Sequence, residues 1–234
     1  MHLELETGVA HVWCATLPSE LKPDSFYWRV LSVDEKERAG KLQQNKSQRV
    51  FVYTRSILRQ LLARYLSILP EDILFSVTHL GKPFLAKELN LPSIEFNLSH
   101  SGDLILFAFT REYPIGVDVE RIRPKVNYLD IAKRFFSAAE VRALNAFPED
   151  EKITAFFHCW SRKEAVIKAL GKGLSHHLSS FSVSIDRKEK NWQLSGISSP
   201  ESWSLYTLDV NPEYAAALAV MGKISKIELK VNIL

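Results

Sequence analysis

In the segment Gly116-Val117-Asp118-Val119-Glu120 two carboxylates stand two residues apart. An extended strand with that spacing carries both on one face and turns Val117 and Val119 to the other. Paired carboxylates repel unless a cation lies between them. A hard divalent ion such as Mg²⁺ would supply the charge, keeping waters and taking phosphate oxygens as further ligands. A solvated edge strand with two acidic residues is the plainer alternative. A third carboxylate shifts the balance: Glu164 precedes Lys168 by one helical turn, at the edge of an apolar stripe through Phe156, Trp160, Ile167, Leu170 and Leu174. Lys163 falls inside that stripe, where an ordinary amphipathic helix places no lysine. Either Glu164 and Lys168 form a surface pair worth roughly 0.3 kcal/mol, or the stripe ends at a polar site where Glu164 joins a metal and the lysines meet phosphate. Gly171 and Gly173, around Lys172, allow a tight turn after the helix.

Further residues suit anions. Ser99 and His100, in Phe96-Asn97-Leu98-Ser99-His100-Ser101-Gly102, read as an anion-binding loop at a strand end. They do not read as a hydrolase pair, because adjacent strand residues point apart and no nucleophile elbow is present. Lys82, in Gly81-Lys82-Pro83, is a turn lysine that could face an anion but lacks the P-loop spacing. Lys41, Arg49 and Arg55 complete a basic set that, taken alone, would serve solubility. Three carboxylates with several cations suit a substrate bearing a diphosphate and a further phosphate better than a nucleic-acid duplex.

The elements that must position these groups follow from pattern. Strands are expected at Val9 to Ala15, Leu74 to Val77, Ile94 to Asn97, Leu104 to Thr110 and Ile115 to Glu120. A helix carries Val50, Ile57, Leu58, Leu61, Leu62 and Tyr65 before Pro70, and a second runs from about Asp150 to Leu170, stopped by Gly171. Short strands follow at Phe181 to Ile185, Trp203 to Asp209 and Ala215 to Val220. Phe-Ser-Val occurs at Phe75 to Val77 and again at Phe181 to Val183, each after a helix and before a meander. The order predicts an α+β protein of two related halves, residues 1–112 and 113–234, with the site in the crevice between them.

The chain has 234 residues, a formal charge of +3 and two cysteines, Cys14 and Cys159. Two cysteines make no disulfide framework, no apolar run is long enough for a bilayer span, and the N-terminus has no signal-peptide character. A cytoplasmic location is expected, without membrane association.

The motifs together resemble the 4′-phosphopantetheinyl transferases of the broad-specificity Sfp type. The likeness rests on GKP at Gly81 to Pro83, FNLSHSG at Phe96 to Gly102, GVDVE at Gly116 to Glu120, FFSAAE at Phe135 to Glu140 and WSRKEAVIKALGKGLS at Trp160 to Ser175. It extends over nearly the full length and is weakest after Val220. It implies two pseudo-symmetric α/β halves, each with an antiparallel sheet and a long helix, and coenzyme A as co-substrate in the cleft. By resemblance, Asp118, Glu120 and Glu164 are the Mg²⁺ ligands, Lys168 meets the pyrophosphate with Lys163 beside it, and Lys82, Ser99 and His100 hold phosphates. Arg49 matches a position at the adenine-side 3′-phosphate; Lys41 and Arg55 match basic positions; Arg123 to Phe136 matches the surface that meets a carrier protein. The implied reaction moves the phosphopantetheine arm to a serine of an apo acyl or peptidyl carrier protein, with Glu164 as first candidate for general base and Glu140 as second. One chain supplies both walls of the cleft, so a monomer is expected, without nucleic acid. The rival readings are another Mg²⁺-dependent transferase acting on a coenzyme-A-like diphosphate, a non-catalytic module holding coenzyme A or a carrier domain, and RNA binding through the Arg49 to Arg59 helix, against which the near-neutral charge speaks.

Overall fold

The run of β-branched and aromatic residues at the start of the chain forms β1 (Val9–Thr16), and its two faces enter different cores: Trp13 and Ala15 one, Ala10 and Val12 another. The computed structural model describes residues 2–23, 25–79, 81–86, 93–171 and 178–231. After β1 come α1 (Phe26–Arg29) and α2 (Val33–Gly40), the latter started by a capping box of Ser32 and Glu35. The apolar stripe around Ile57 and Leu61 lies on α3 (Asn45–Leu66). A hairpin of β2 (Phe75–Val77) and β3 (Pro83–Leu85) precedes the antiparallel pair β4 (Glu95–Ser101) and β5 (Leu104–Thr110).

The second half repeats this order. It runs β6 (Ile115–Arg121), α4 (Tyr128–Phe135), α5 (Ala138–Ala146), α6 (Glu149–Leu170), the pair β7 (Ser182–Val183) and β8 (Leu194–Ser195), then β9 (Ser204–Thr207) and β10 (Tyr214–Val220). Both long helices have 22 residues. One sheet contains β1-β5-β4 and the other is β6-β10-β9, so corresponding strands take corresponding places. The repeated tripeptide falls at β2 and β7, each half of a small two-stranded pair.

The end of the chain departs from the expected division at residue 112. β11 (Lys226–Val231) returns to the first half and pairs parallel with β1, giving the sheet order β11-β1-β5-β4. A parallel neighbour requires a long crossover, which here is the rest of the first half together with the whole of β6 to β10. The first sheet is therefore mixed, not purely antiparallel.

The layers run helix, sheet, sheet, helix. α3 covers Trp13, Phe96, Phe107 and Phe109. Between the sheets Val12, Leu106 and Ala108 share a core with Val117, Val119 and Leu218. The outer face of the second sheet, with Ala215, Ala217 and Ala219, packs on Ala165 and Ala169 of α6. Contact there is backbone to backbone: a Cβ on Gly116 would lie 2.0 Å from the Ala165 carbonyl oxygen. Gly171 ends α6 in the left-handed conformation at φ 66°, as its position predicts. The expected turn at Lys172 and Gly173, and Leu174 of the stripe, lie outside the described residues. Among the described residues no helix is long and apolar enough to cross a membrane.

Candidate active site

The site begins at the seam between the halves. One edge of β6 pairs with β10, and the other lies across the side chains of β4. Asn97, Ser99 and Ser101 share one face of β4. Their side chains accept hydrogen bonds from the Val117 N–H at 3.0 Å, the Val119 N–H at 3.4 Å and the Arg121 N–H at 3.0 Å. The segment expected as an anion-binding loop is thus the second part of a seven-residue strand, paired along its length with β5. Ser99 and His100 consequently face opposite ways. Ser99 is buried and donates to Asp118 Oδ1 at 2.9 Å; His100 lines a cavity on the α3 side.

The carboxylates gather beneath this seam. Asp118 is 3% exposed, and Val117 and Val119 beside it are in the inter-sheet core, as the alternation requires. Lys168 on α6 places its ammonium 2.7 Å from Asp118 Oδ1 and 2.8 Å from the Ser99 hydroxyl. Glu120 accepts from the Ser101 hydroxyl at 3.0 Å. Asp118 Oδ2 and Glu164 Oε1 are buried without a hydrogen-bond partner. Burial, reinforced by the charges of Asp118 and Glu120 and opposed by Lys168, raises the Glu164 carboxyl to about 7. Glu120 is raised too, by burial and then by Asp118, with the Ser101 hydrogen bond opposing. The charges of Asp118 and Glu120 on β6 and of Glu164 on α6 thus bear on one another across two elements. Among the described residues no group of three His, Cys, Asp or Glu side chains is arranged to hold a metal ion by itself. Two orphaned carboxylate oxygens in a hard-oxygen environment nonetheless fit a Mg²⁺ that draws its remaining ligands from water and phosphate.

Two adjoining cavities of about 590 and 330 Å³ share Arg55, Gly81 and Leu98. The smaller is walled by both halves, with Lys82 and Asn97 from the first and Ile167, Lys168 and Gly171 from the second. Lys82 donates to the Lys168 carbonyl at 2.9 Å, at the negative end of α6, and to the Ile115 carbonyl at 3.4 Å. Burial, with the Lys168 charge adding to it, draws its ammonium below the ordinary lysine range. The larger cavity is lined by Lys46, Ser47, Thr54 and Arg55 of α3, Arg38 of α2 and His100. Arg55 is ion-paired with Glu35 at 3.3 Å, leaving Nη1 buried and unpartnered, as is Thr54 Oγ1. Burial, followed by the Lys168 charge, lowers the His100 imidazole from its usual value.

Lys41 and Arg49 line neither cavity; Lys41 is exposed at the end of α2. Arg38, Lys46, Ser47 and Thr54 stand there instead. The spacing Ser47, Val50, Phe51, Thr54, Leu58 marks one helical face and was the available signal for it.

Two expected site residues belong elsewhere. Lys163 is 1% exposed and donates to both Glu140 oxygens, at 2.7 and 2.8 Å, and to the Phe181 carbonyl. Glu140, 2% exposed, also accepts from the Ser137 and Val183 N–H groups. This pair ties α5 and β7 to the core side of α6. The stripe that enclosed Lys163 is indeed core-facing, and a buried carboxylate rather than phosphate answers its charge. Glu140 has no free oxygen to take a proton from a substrate and is withdrawn as a base.

Residues 19–112 match the model of the 4′-phosphopantetheinyl transferase N-terminal family, and residues 114–219 that of the 4′-phosphopantetheinyl transferase superfamily. The chain is 32% identical over 221 residues to the 4′-phosphopantetheinyl transferase HetI of Nostoc sp. strain PCC 7120, covering 94% of this chain and 91% of that protein. It is 35% identical over 204 residues to the 4′-phosphopantetheinyl transferase Sfp of Bacillus subtilis strain 168, covering 86% and 87%. The crystal structure of Thermotoga maritima holo-[acyl-carrier-protein] synthase aligns with 22% identity and a TM-score of 0.37 over 47% of this chain and 63% of that one. The two family matches and the identity to HetI and Sfp over most of the chain show that it belongs to the 4′-phosphopantetheinyl transferase family.

Proposed function

We propose that the protein transfers the 4′-phosphopantetheine arm of coenzyme A to a serine hydroxyl of an apo acyl or peptidyl carrier protein, releasing adenosine 3′,5′-bisphosphate. The observation that carries this reading is the Lys168–Asp118 ion pair, with buried unpartnered carboxylate oxygens on Asp118 and Glu164, beside a cleft walled by both halves. Asp118, Glu120 and Glu164 would hold Mg²⁺, whose charge, when bound, neutralises the diphosphate. Lys168 is placed to leave Asp118 for the leaving phosphate, where charge develops. Glu164, with one buried carboxylate oxygen free of any hydrogen-bond partner, is the candidate to remove the serine proton. Arg38, Lys46, Arg55 and His100 give the larger cavity its cationic and hydrogen-bonding lining for the nucleotide phosphates.

The attacking serine would come from the partner, which fits a site whose described residues include no hydroxyl or thiol paired with a histidine base. Arg123, Lys125, Lys133 and Arg134 are exposed along the segment ahead of and on α4, around the exposed Leu129. A basic surface with an apolar centre suits an acidic carrier helix. Each chain supplies both cleft walls, which supports action as a monomer. A storage or docking module would have no use for orphaned acids at a diphosphate site, which disfavours the non-catalytic reading. Incubation of an apo carrier protein with coenzyme A and Mg²⁺ should add one phosphopantetheine arm by mass spectrometry, and EDTA should prevent it. Tight coenzyme A binding with no mass gain on any carrier would favour the binding module.

A further inference from the structure

We propose that Asn97 and Ser101 are positioning residues for the acidic cluster, acting as a side-chain substitute for a neighbouring strand along the open edge of β6. The inference rests on the transfer reading in that the acids it positions are those used there. A strand buried on one edge must satisfy its outward N–H groups, or the edge frays or shifts. β10 serves one edge of β6 through seven residue pairs, from Ile115 to Arg121. On the other, among the described residues no backbone carbonyl accepts from the N–H of Val117, Val119 or Arg121; Asn97 Oδ1, Ser99 Oγ and Ser101 Oγ do.

The offset is constant: each accepting side chain precedes its donor by 20 residues. Two strands each advancing by two therefore stay in step, and a slip of β6 by one residue would break every bond at once. Such a slip would also turn Asp118 and Glu120 to the opposite face. Two of the acceptors do more than hold the edge. The hydroxyl of Ser99 donates to Asp118 and that of Ser101 to Glu120, so the group that fixes the backbone also aims the adjacent acid. Asn97, which also walls the smaller cavity, bonds the backbone of Val117 and neither acid, which separates register from aiming.

The test uses Asn97→Ala, Ser101→Ala and Ser101→Thr in the full chain. Backbone amide exchange is followed by NMR together with kcat and the KM for coenzyme A. Asn97→Ala should speed exchange of the Val117 amide at least tenfold. Both alanine variants should lower kcat about tenfold or more while the KM for coenzyme A changes less than threefold. Ser101→Thr, which keeps the hydroxyl, should restore most of kcat. Unchanged kcat in both alanine variants, or a threonine variant no better than alanine, would overturn the proposal. A wild-type protein that modifies no carrier would count against the transfer reading instead. In that case Val117 exchange decides by itself: acceleration supports the strand-edge role and an unchanged rate overturns it.

Discussion

The ammonium of Lys168 lies 2.7 Å from Asp118 Oδ1, so an α6 side chain neutralises a β6 acid inside the resting site. The Ser99 hydroxyl, from the other half of the chain, bonds both of them. A resident cation thus stands against the carboxylate that a divalent ion would take.

Replacing Lys168 by alanine should separate these roles. Transfer should fall at least a hundredfold, since the leaving phosphate loses its counter-charge, which corresponds to about 2.7 kcal/mol. Divalent-ion affinity of the free protein should instead rise, because the internal competitor is gone. Mn²⁺ titration followed by electron paramagnetic resonance measures it; weaker Mn²⁺ binding in the variant would contradict the competition.

Glu164 makes stability depend on pH. Its carboxyl is raised to about 7 by burial and by Asp118, from an ordinary 4.5. The folded state therefore holds that proton more tightly than the unfolded one. The associated stability is fully present below about 4.5 and is lost as pH rises through about 7. Glu164→Gln should stabilise the metal-free protein by on the order of 2–3 kcal/mol at pH 8, with the gain shrinking toward pH 4. Thermal melts in EDTA across that range provide the check. The same variant should lose transfer, whereas a merely structural glutamate would leave it intact.

Gly116 is where β6 and α6 touch. An added Cβ would meet the Ala165 carbonyl oxygen at 2.0 Å and the Ala169 nitrogen at 2.4 Å, both backbone atoms that cannot swing aside. Gly116→Ala should cost about 3 kcal/mol, a fall in Tm of roughly 10 °C. It should also depress kcat in the protein that remains folded, because β6 carries Asp118 away from α6. A variant with wild-type Tm and kcat would disprove the close approach.

The Lys163–Glu140 pair provides a contrast between stability and chemistry. Removing either partner leaves an uncompensated buried charge, and Lys163→Ala should destabilise by about 3–5 kcal/mol. Replacing both together, as Lys163→Met with Glu140→Leu, should recover much of that loss. Activity per folded molecule should remain within a fewfold of wild type in the double variant. A loss of more than a hundredfold with the stability recovered would return Glu140 to the chemistry.

Legibility in the sequence followed the range of the interaction. Asp118 and Glu120 were readable as a pair because two-residue alternation is local, and the cores on either side of β6 match it. The stripe on α6 and its stop at Gly171 were local too. Lys163 was a different matter. Helical spacing placed it correctly on the core face, but only α5, packed there from 23 residues earlier, supplies the carboxylate that answers it. Ser99 and His100 looked like one loop because a strand crossing another strand leaves little pattern in either segment alone.

From its sequence alone the chain determined two long amphipathic helices, the meanders, the acidic pair, and the family likeness carried by its motifs. Each depends on residue type and on spacings of two to four residues, which backbone geometry converts directly into faces. Tertiary structure decided which groups meet: Lys168 with Asp118, Lys163 with Glu140, Lys82 with the end of α6, and the β11 strand with β1. Those pairings join residues from 23 to more than 200 positions apart, where chain connectivity imposes no register and burial of the shared cores selects the partner.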